Sequence, residues 1–114
     1  MLPRLNRLNK RKDFERIHQQ GQIARGRLMI LKAKRNDFQY SRIGIIVSKK
    51  VAKKATQRNK IKRRMRRIVR EEILLHNGYD FVIILKHDAV SANYEELEDD
   101  WQRVWVDINQ KICH

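Results

Sequence analysis

The stretch Arg42-Ile43-Gly44-Ile45-Ile46-Val47, followed after a lysine-rich loop by the long run from Thr56 to His76 and then by Tyr79-Asp80-Phe81-Val82-Ile83-Ile84-Leu85-Lys86, decides the fold. Its two outer segments are short, apolar and rich in β-branched residues, which predicts strands. Between them Ile61, Met65, Ile68, Val69 and Ile73 fall at steps of 4, 3, 1 and 4, the spacing of a helix with one side against a core. Thr56 is the expected N-cap of that helix and Asn77-Gly78 its stop. Strand, helix and strand make a β-α-β unit, whose crossover is right-handed by the general rule.

On the N-terminal side, Phe14, Ile17 and His18 predict a short amphipathic helix from Lys10 to Gln20, with Gly21 as its stop. Residues 22–35 read as one strand centred on Leu28-Met29-Ile30-Leu31. Arg35-Asn36-Asp37 offers a turn, so this strand and residues 42–47 are expected to form an antiparallel hairpin. Past the strand at 79–86, residues 88–93 read as a loop. A last helix from about Asn93 to Ile112 aligns Leu97, Trp101, Val104, Trp105 and Ile108 on one side. Its acids Glu95, Glu96, Glu98, Asp99 and Asp100 crowd the first turns, where the helix dipole favours negative charge. The expected architecture is an α/β (α+β) two-layer sandwich, a small sheet with helices on it, in the order α-β-β-α-β-α. With 114 residues, a lone proline at Pro3 and no linker or repeat, the chain reads as one domain over residues 1–114.

Charge is the next signal. The net charge is +14, and it is segregated along the chain. Residues 1–70 carry 24 Lys or Arg against Asp13, Glu15 and Asp37, whereas residues 71–114 carry three basic and ten acidic side chains. A protein that is merely soluble mixes its signs, so this distribution predicts one strongly positive face and a polyanionic partner. The longest apolar run, Phe81 to Leu85, is far short of the roughly 20 residues of a membrane span. The basic N-terminus leads into more charge and not into an apolar signal segment, so a cytoplasmic location is expected. The lone Cys113 has no partner for an internal disulfide and is read as incidental.

Between Lys49 and Arg70 there are twelve basic residues and no acid. Asn59, Arg63, Arg66 and Arg70 repeat at i, i+4, i+7 and i+11, on a line roughly opposite the apolar stripe, with Lys60, Arg64 and Arg67 beside it. An ordinary exposed helix face would interleave glutamates to relieve repulsion, and none appears before Glu71. Arginine predominates, as it does where planar phosphate contact is useful. A membrane-surface helix would show large apolar residues on its exposed edge, and a zipper-type DNA reader would continue into heptads; this helix does neither. Nucleic acid is the expected partner. Metal-assisted phosphodiester cleavage needs clustered carboxylates, and the basic half offers only Asp13, Glu15 and Asp37. His18, His76, His87 and His114 show no paired or metal-ligand spacing, so no catalytic residue and no metal ligand is assigned to the protein.

Gly44-Ile45-Ile46-Val47-Ser48-Lys49-Lys50-Val51, followed by Ala55-Thr56-Gln57-Arg58-Asn59-Lys60-Ile61-Lys62-Arg63, resembles the signature of the bacterial ribonuclease P protein family. That signature is a Val-Ser-Lys-Lys strand end, a short loop and an Arg-Asn-Arg-type helix, with Lys60 here in the third position. Asp13-Phe14, Gly21 and Asp80-Phe81-Val82-Ile83-Ile84 also occupy family positions. The resemblance implies a mixed sheet with a left-handed β-α-β crossover, against the general rule. It also implies a protein subunit, one per ribonucleoprotein, beside a large catalytic RNA. That RNA performs Mg²⁺-dependent removal of the 5′ leader of precursor tRNA.

By the same resemblance, Lys49, Lys50, Lys53, Lys54, Arg58, Asn59, Lys60, Lys62, Arg63, Arg66, Arg67 and Arg70 contact the catalytic RNA. A cleft between the first helix and the sheet holds the leader, with Lys10, Arg11, Lys12, Phe14, Arg16, His18 and Lys32 as candidate contacts. Some family members carry aromatic residues where this chain has His18 and Lys32, which shifts the expected balance from stacking toward charge. Phe14 as an ordinary core residue is the competing reading. A structural, ribosomal-type RNA-binding protein is the alternative function, and a nuclease acting without RNA is a third.

Overall fold

A computed structural model describes residues 2–112; Cys113 and His114, considered above, lie outside the described residues. After a short 3₁₀ turn at Arg4–Asn6 come α1 (Arg11–Gln20), β1 (Gln22–Arg25), β2 (Met29–Arg35), β3 (Arg42–Ile46), α2 (Ala55–Leu75), β4 (Tyr79–Leu85), a 3₁₀ turn at His87–Ala89 and α3 (Tyr94–Ile112). One four-stranded mixed sheet has the order β1-β2-β4-β3. β4 runs antiparallel to β2 and parallel to β3, the first strand of the β-α-β unit.

The helices lie on both faces of this sheet. Odd-numbered residues of β4, Phe81, Ile83 and Leu85, share the main core with Met29, Leu31, Ile43, the α2 stripe and the α3 stripe. Val82, on the opposite face, joins a second cluster with Leu8 and Ile17, against which Phe14, Ile46 and Ile84 pack. The alternation of side chains along a strand thus assigns α2 and α3 to one layer and α1 to the other. Ile61, Met65, Ile68, Val69 and Ile73 are all buried, as their spacing predicts.

The segment 22–35 is two strands and not one. It folds back at Gly26 and Arg27, where Gly26 N–H donates to the Met29 carbonyl at 2.8 Å. The buried carboxylate of Asp100 accepts from the backbone N–H groups of Arg27 at 3.0 Å and Leu28 at 2.9 Å. A Cβ on Gly26 would lie 2.5 Å from that carboxylate, so only glycine fits the turn. Asp100 therefore caps the β1–β2 hairpin, a role the dipole reading of the α3 acids did not contain. At the true start of α3, Asn93 and Glu96 exchange side-chain-to-backbone hydrogen bonds in a capping box.

The expected hairpin between β2 and β3 does not form, because β4 lies between them. β4 is the most continuously apolar strand and is covered on both faces, so it gains most from the central position. The helix start also differs from expectation. Ala55 opens α2, Lys54 is the N-cap residue without a side-chain cap, and the Arg58 guanidinium instead donates back to the carbonyls of Ala52 and Lys53 at 2.9 and 2.8 Å. Gly78 ends the turn after α2 at φ 78°, a left-handed conformation that favours glycine.

Candidate nucleic-acid interface

Asp80, the second residue of β4, is 0% exposed and lies on the α1 face of the sheet. It accepts from Arg42 Nε at 2.8 Å and Nη2 at 2.6 Å, from Arg16 Nη2 at 2.7 Å and from Asn36 Nδ2 at 2.9 Å. Arg42 also lies 3.6 Å from Asp13 of α1. The hydrogen bonds to Asp80 raise the Arg42 pKa against the opposing effect of burial, and the negative charges of Asp80 and Asp13 add to the rise. This network fixes the pitch of α1 over the sheet. Arg16, a candidate leader contact, is thereby committed largely to structure. Asp80 entered the sequence reading only through its family position and the strand at 79–86, and Arg42 and Asn36 were read only as strand and turn residues, not as candidate site residues.

Three other candidate leader residues are brought to the α1–sheet boundary. Lys32 Nζ lies 2.8 Å from His18 Nδ1, and burial, with the Lys32 charge second, holds the His18 pKa below its ordinary value. Phe14 rests edge-on over β3; a Cβ on Gly44 would lie 2.5 Å from the Phe14 Cζ. The remainder are dispersed. Arg11 is exposed and pairs with Glu15 at 3.1 Å, and Lys12 lies roughly 160° around the helix from Phe14, away from the sheet. Lys10 is exposed at the N-cap of α1.

Phe14 also lines a recess of about 470 Å³ with Arg4, Arg7, Lys62 and Arg66, among others. Its charged lining is cationic, and it connects the α1 boundary to the flank of α2. Arg4 and Arg7 were missed by the sequence reading, which treated the N-terminus only as a possible signal segment. The N-terminal segment is held to β3 by Leu8 N–H donating to the Ile43 carbonyl at 2.9 Å and by Asn6 Nδ2 donating to the Ser41 carbonyl at 2.8 Å. Burial and the neighbouring charges of Arg7 and Arg63 lower the Arg66 pKa.

The solvent side of α2 carries the rest of the predicted set. Asn59, Arg63, Arg66 and Arg67 line a recess of about 510 Å³. Lys50, Lys53, Lys54 and Lys60 line another of about 700 Å³ with His87. Lys49 is exposed on the loop before them, and Arg70 is exposed at the far end of the line. The Arg58 guanidinium is partly used in holding the loop, as described above. Among the described residues none of Lys60, Lys62, Arg63, Arg64, Arg66 or Arg67 has a carboxylate within 4.0 Å.

Among the described residues no three His, Cys, Asp or Glu side chains gather to share a metal ion. The two buried carboxylates nearest that description, Asp80 and Asp100, are occupied by arginine, asparagine and backbone donors. No helix among the described residues is long and apolar enough to cross a membrane.

Residues 2–109 match the Ribonuclease P family. The chain belongs to the ribonuclease P protein family. The ribonuclease P protein component of Pseudanabaena sp. (strain PCC 6903) is 41% identical, the alignment covering 100% of this chain and 98% of the relative. That of Thermotoga petrophila is 35% identical over 83% of this chain and 80% of its own length. Among solved structures, the Staphylococcus aureus RNase P protein superposes with a TM-score of 0.82 at 27% identity, covering 90% of this chain and 94% of the other. The Thermotoga maritima RNase P protein gives 0.74 at 30% identity, with coverages of 84% and 91%. The mixed four-stranded sheet with three helices is thus the architecture of ribonuclease P proteins.

Proposed function

We propose that this ribonuclease P family member acts as the protein subunit, one copy per particle, of a ribonucleoprotein that removes the 5′ leader of precursor tRNA. The observation that carries the reading is the α2 surface: Lys60, Lys62, Arg63, Arg64, Arg66 and Arg67, with no carboxylate within 4.0 Å among the described residues, on a helix whose other side is core. Counter-ions for that surface come from the phosphates of the catalytic RNA. The loop at 48–54 and the line from Asn59 through Arg63 and Arg66 hold the RNA by phosphate and sugar contacts, with arginine suited to bidentate geometry. Phe14, with Arg4, Arg7, Lys62 and Arg66 around its recess, and the His18–Lys32 pair along α1 receive the single-stranded leader. The chemistry is Mg²⁺-dependent hydrolysis on the RNA subunit; the protein binds, orients and lowers electrostatic repulsion between the two RNAs.

Reconstitution tests this. Protein freed of nucleic acid is mixed with a bacterial ribonuclease P RNA and labelled precursor tRNA over a Mg²⁺ series. The expected result is that the protein lowers the Mg²⁺ needed for cleavage by its RNA partner and leaves precursor intact when alone. Normal-rate cleavage by RNA-free protein would move the chemistry onto the chain and overturn the proposal. Recovery of whole ribosomal subunits with the protein from cells, without a tRNA-processing RNA, would favour the structural alternative.

A further inference from the structure

The two flanks of α2 are built alike. On the flank facing α1, Lys62 and Arg66 border the ring of Phe14. On the flank facing α3, Lys60, Arg63, Arg64 and Arg67 enclose a recess of about 210 Å³ with the ring of Tyr94, the first residue of α3. No carboxylate lines this second recess, although Glu95 and Glu96 follow Tyr94 directly in the chain. Tyr94 is 39% exposed. Its use differs from that of the other two tyrosines among the described residues. Tyr79 packs on His76 and Phe81 and donates its hydroxyl to the Ile112 carbonyl, and Tyr40 stacks on Phe38. The Tyr94 ring has no aromatic partner, and its hydroxyl no hydrogen bond, among the described residues.

An exposed aromatic face beside four cations without acidic partners matches the chemistry of an unpaired nucleotide. The base stacks on the ring and the flanking phosphates meet the guanidinium groups. A helical or sheet partner protein would instead ask for a continuous apolar strip, and the lining here is charged around a single ring. Arg63 and Arg67 also border the recess on the outer side of α2, so the two sites share a wall and one RNA strand can run through both.

We propose that Tyr94 is a stacking platform for an unpaired nucleotide, with Arg64 and Arg67 holding its phosphates, which extends the RNA-binding surface across α2 onto the start of α3. This rests on the proposed RNA-binding role of α2. Its test uses the full-length protein and two probes in separate binding series, a bacterial ribonuclease P RNA transcript and a precursor tRNA, which distinguish the source of the nucleotide. Tyr94→Leu keeps much of the side-chain volume without the ring, Tyr94→Phe keeps the ring without the hydroxyl, and Arg66→Glu reports on α2 independently. The expected result is that Tyr94→Leu weakens one probe by about 5- to 150-fold, the range of one base–aromatic stack. The slope of log affinity against log salt stays unchanged, since no phosphate contact is removed. Tyr94→Phe binds like wild type, and all three variants unfold cooperatively. Wild-type affinity of Tyr94→Leu for both probes, with Arg66→Glu impaired, would overturn the platform and leave the α2 surface standing. Equal losses in Tyr94→Leu and Tyr94→Phe would also overturn it, because the hydroxyl and not the ring would then be the contact. Wild-type binding by Arg66→Glu as well would remove α2 from the interface altogether.

Discussion

Lys32 Nζ donates to Nδ1 of His18 at 2.8 Å and joins β2 to α1 at the edge of the face that α1 covers. The ammonium group has only protons to offer, so His18 accepts in its neutral form with its own proton on Nε2. Burial first and the Lys32 charge second lower the His18 pKa. A histidine whose folded-state pKa is depressed contributes stability above its unfolded value, near 6.5, and loses it as pH falls through the folded value. Lys32→Ala should therefore move the His18 titration upward, though not fully to the ordinary value because burial persists. Histidine NMR signals followed through a pH series measure this, and a titration unchanged by Lys32→Ala would mean that the contact does not persist in solution.

Asp80 predicts a stability effect. Removing one partner of a buried ion pair leaves the other charge desolvated, which typically amounts to about 3–5 kcal/mol. Asp80→Ala leaves Arg42 and Arg16 facing each other, with side chains 15% and 34% exposed, so the loss should lie toward the lower end of that range. Arg42→Ala should destabilise more than Arg16→Ala, since Arg42 makes two of the hydrogen bonds and is the more buried. Urea unfolding of the three variants ranks them; a loss below about 1 kcal/mol for Asp80→Ala would show that water reaches the network.

The β-α-β unit was legible because period and burial agree: the α2 stripe is apolar at helical spacing and every member of it is buried. Strand pairing was not legible, because β2, β3 and β4 are all apolar and local pattern does not say which is central. That choice rests on burial over both faces of β4, a tertiary property. Gly26 inside an apparent strand was the available signal for the β1–β2 turn. At the interface, the cations of α2 stand where helical spacing places them, on the side away from the core. Phe14 and Tyr94, 80 positions apart in sequence, flank that helix only because α1 and α3 fold against opposite faces of the sheet. Sequence spacing carries no trace of that.

Arg66 predicts a conflict between stability and binding. Its half-buried guanidinium is crowded by Arg7 and Arg63, and its pKa is lowered by burial and by both of those charges. Arg66→Gln should raise the stability of the free protein by on the order of 0.5 kcal/mol, the scale of a like-charge pair on a helix, and added salt should erase the gain. The same variant should bind ribonuclease P RNA more weakly and reduce the magnitude of the salt slope by about 1. Calorimetry at low and high salt beside salt-dependent binding checks both halves. An unchanged slope would mean that Arg66 meets no phosphate.

Phe14 separates leader binding from packing. Its ring lies against the Gly44 backbone and joins the cluster of Leu8, Ile17 and Val82, while also lining the recess with Arg4, Arg7, Lys62 and Arg66. Both readings of this residue thus have a structural basis, and Phe14→Ala would remove packing and ring together. A fully buried Phe→Ala change is worth about 3–5 kcal/mol, and the half-buried position should reduce that to about 2 kcal/mol. Phe14→Leu is the sharper test, because it retains most of the apolar contact with Leu8 and Ile17 and removes only the aromatic face. It should leave the melting temperature within a few degrees of wild type and weaken precursor tRNA with a leader of several nucleotides by about 1–3 kcal/mol. Mature tRNA and the catalytic RNA, which present no leader to the recess, should bind almost as before. Gly44→Ala should imitate the variant from the other side, since the added Cβ meets the ring at 2.5 Å and must push it from its seat. If Phe14→Leu bound the precursor like wild type, or lost equally toward precursor and mature tRNA, the ring would be packing alone, and leader recognition would pass to Lys62, Arg66 and the His18–Lys32 pair.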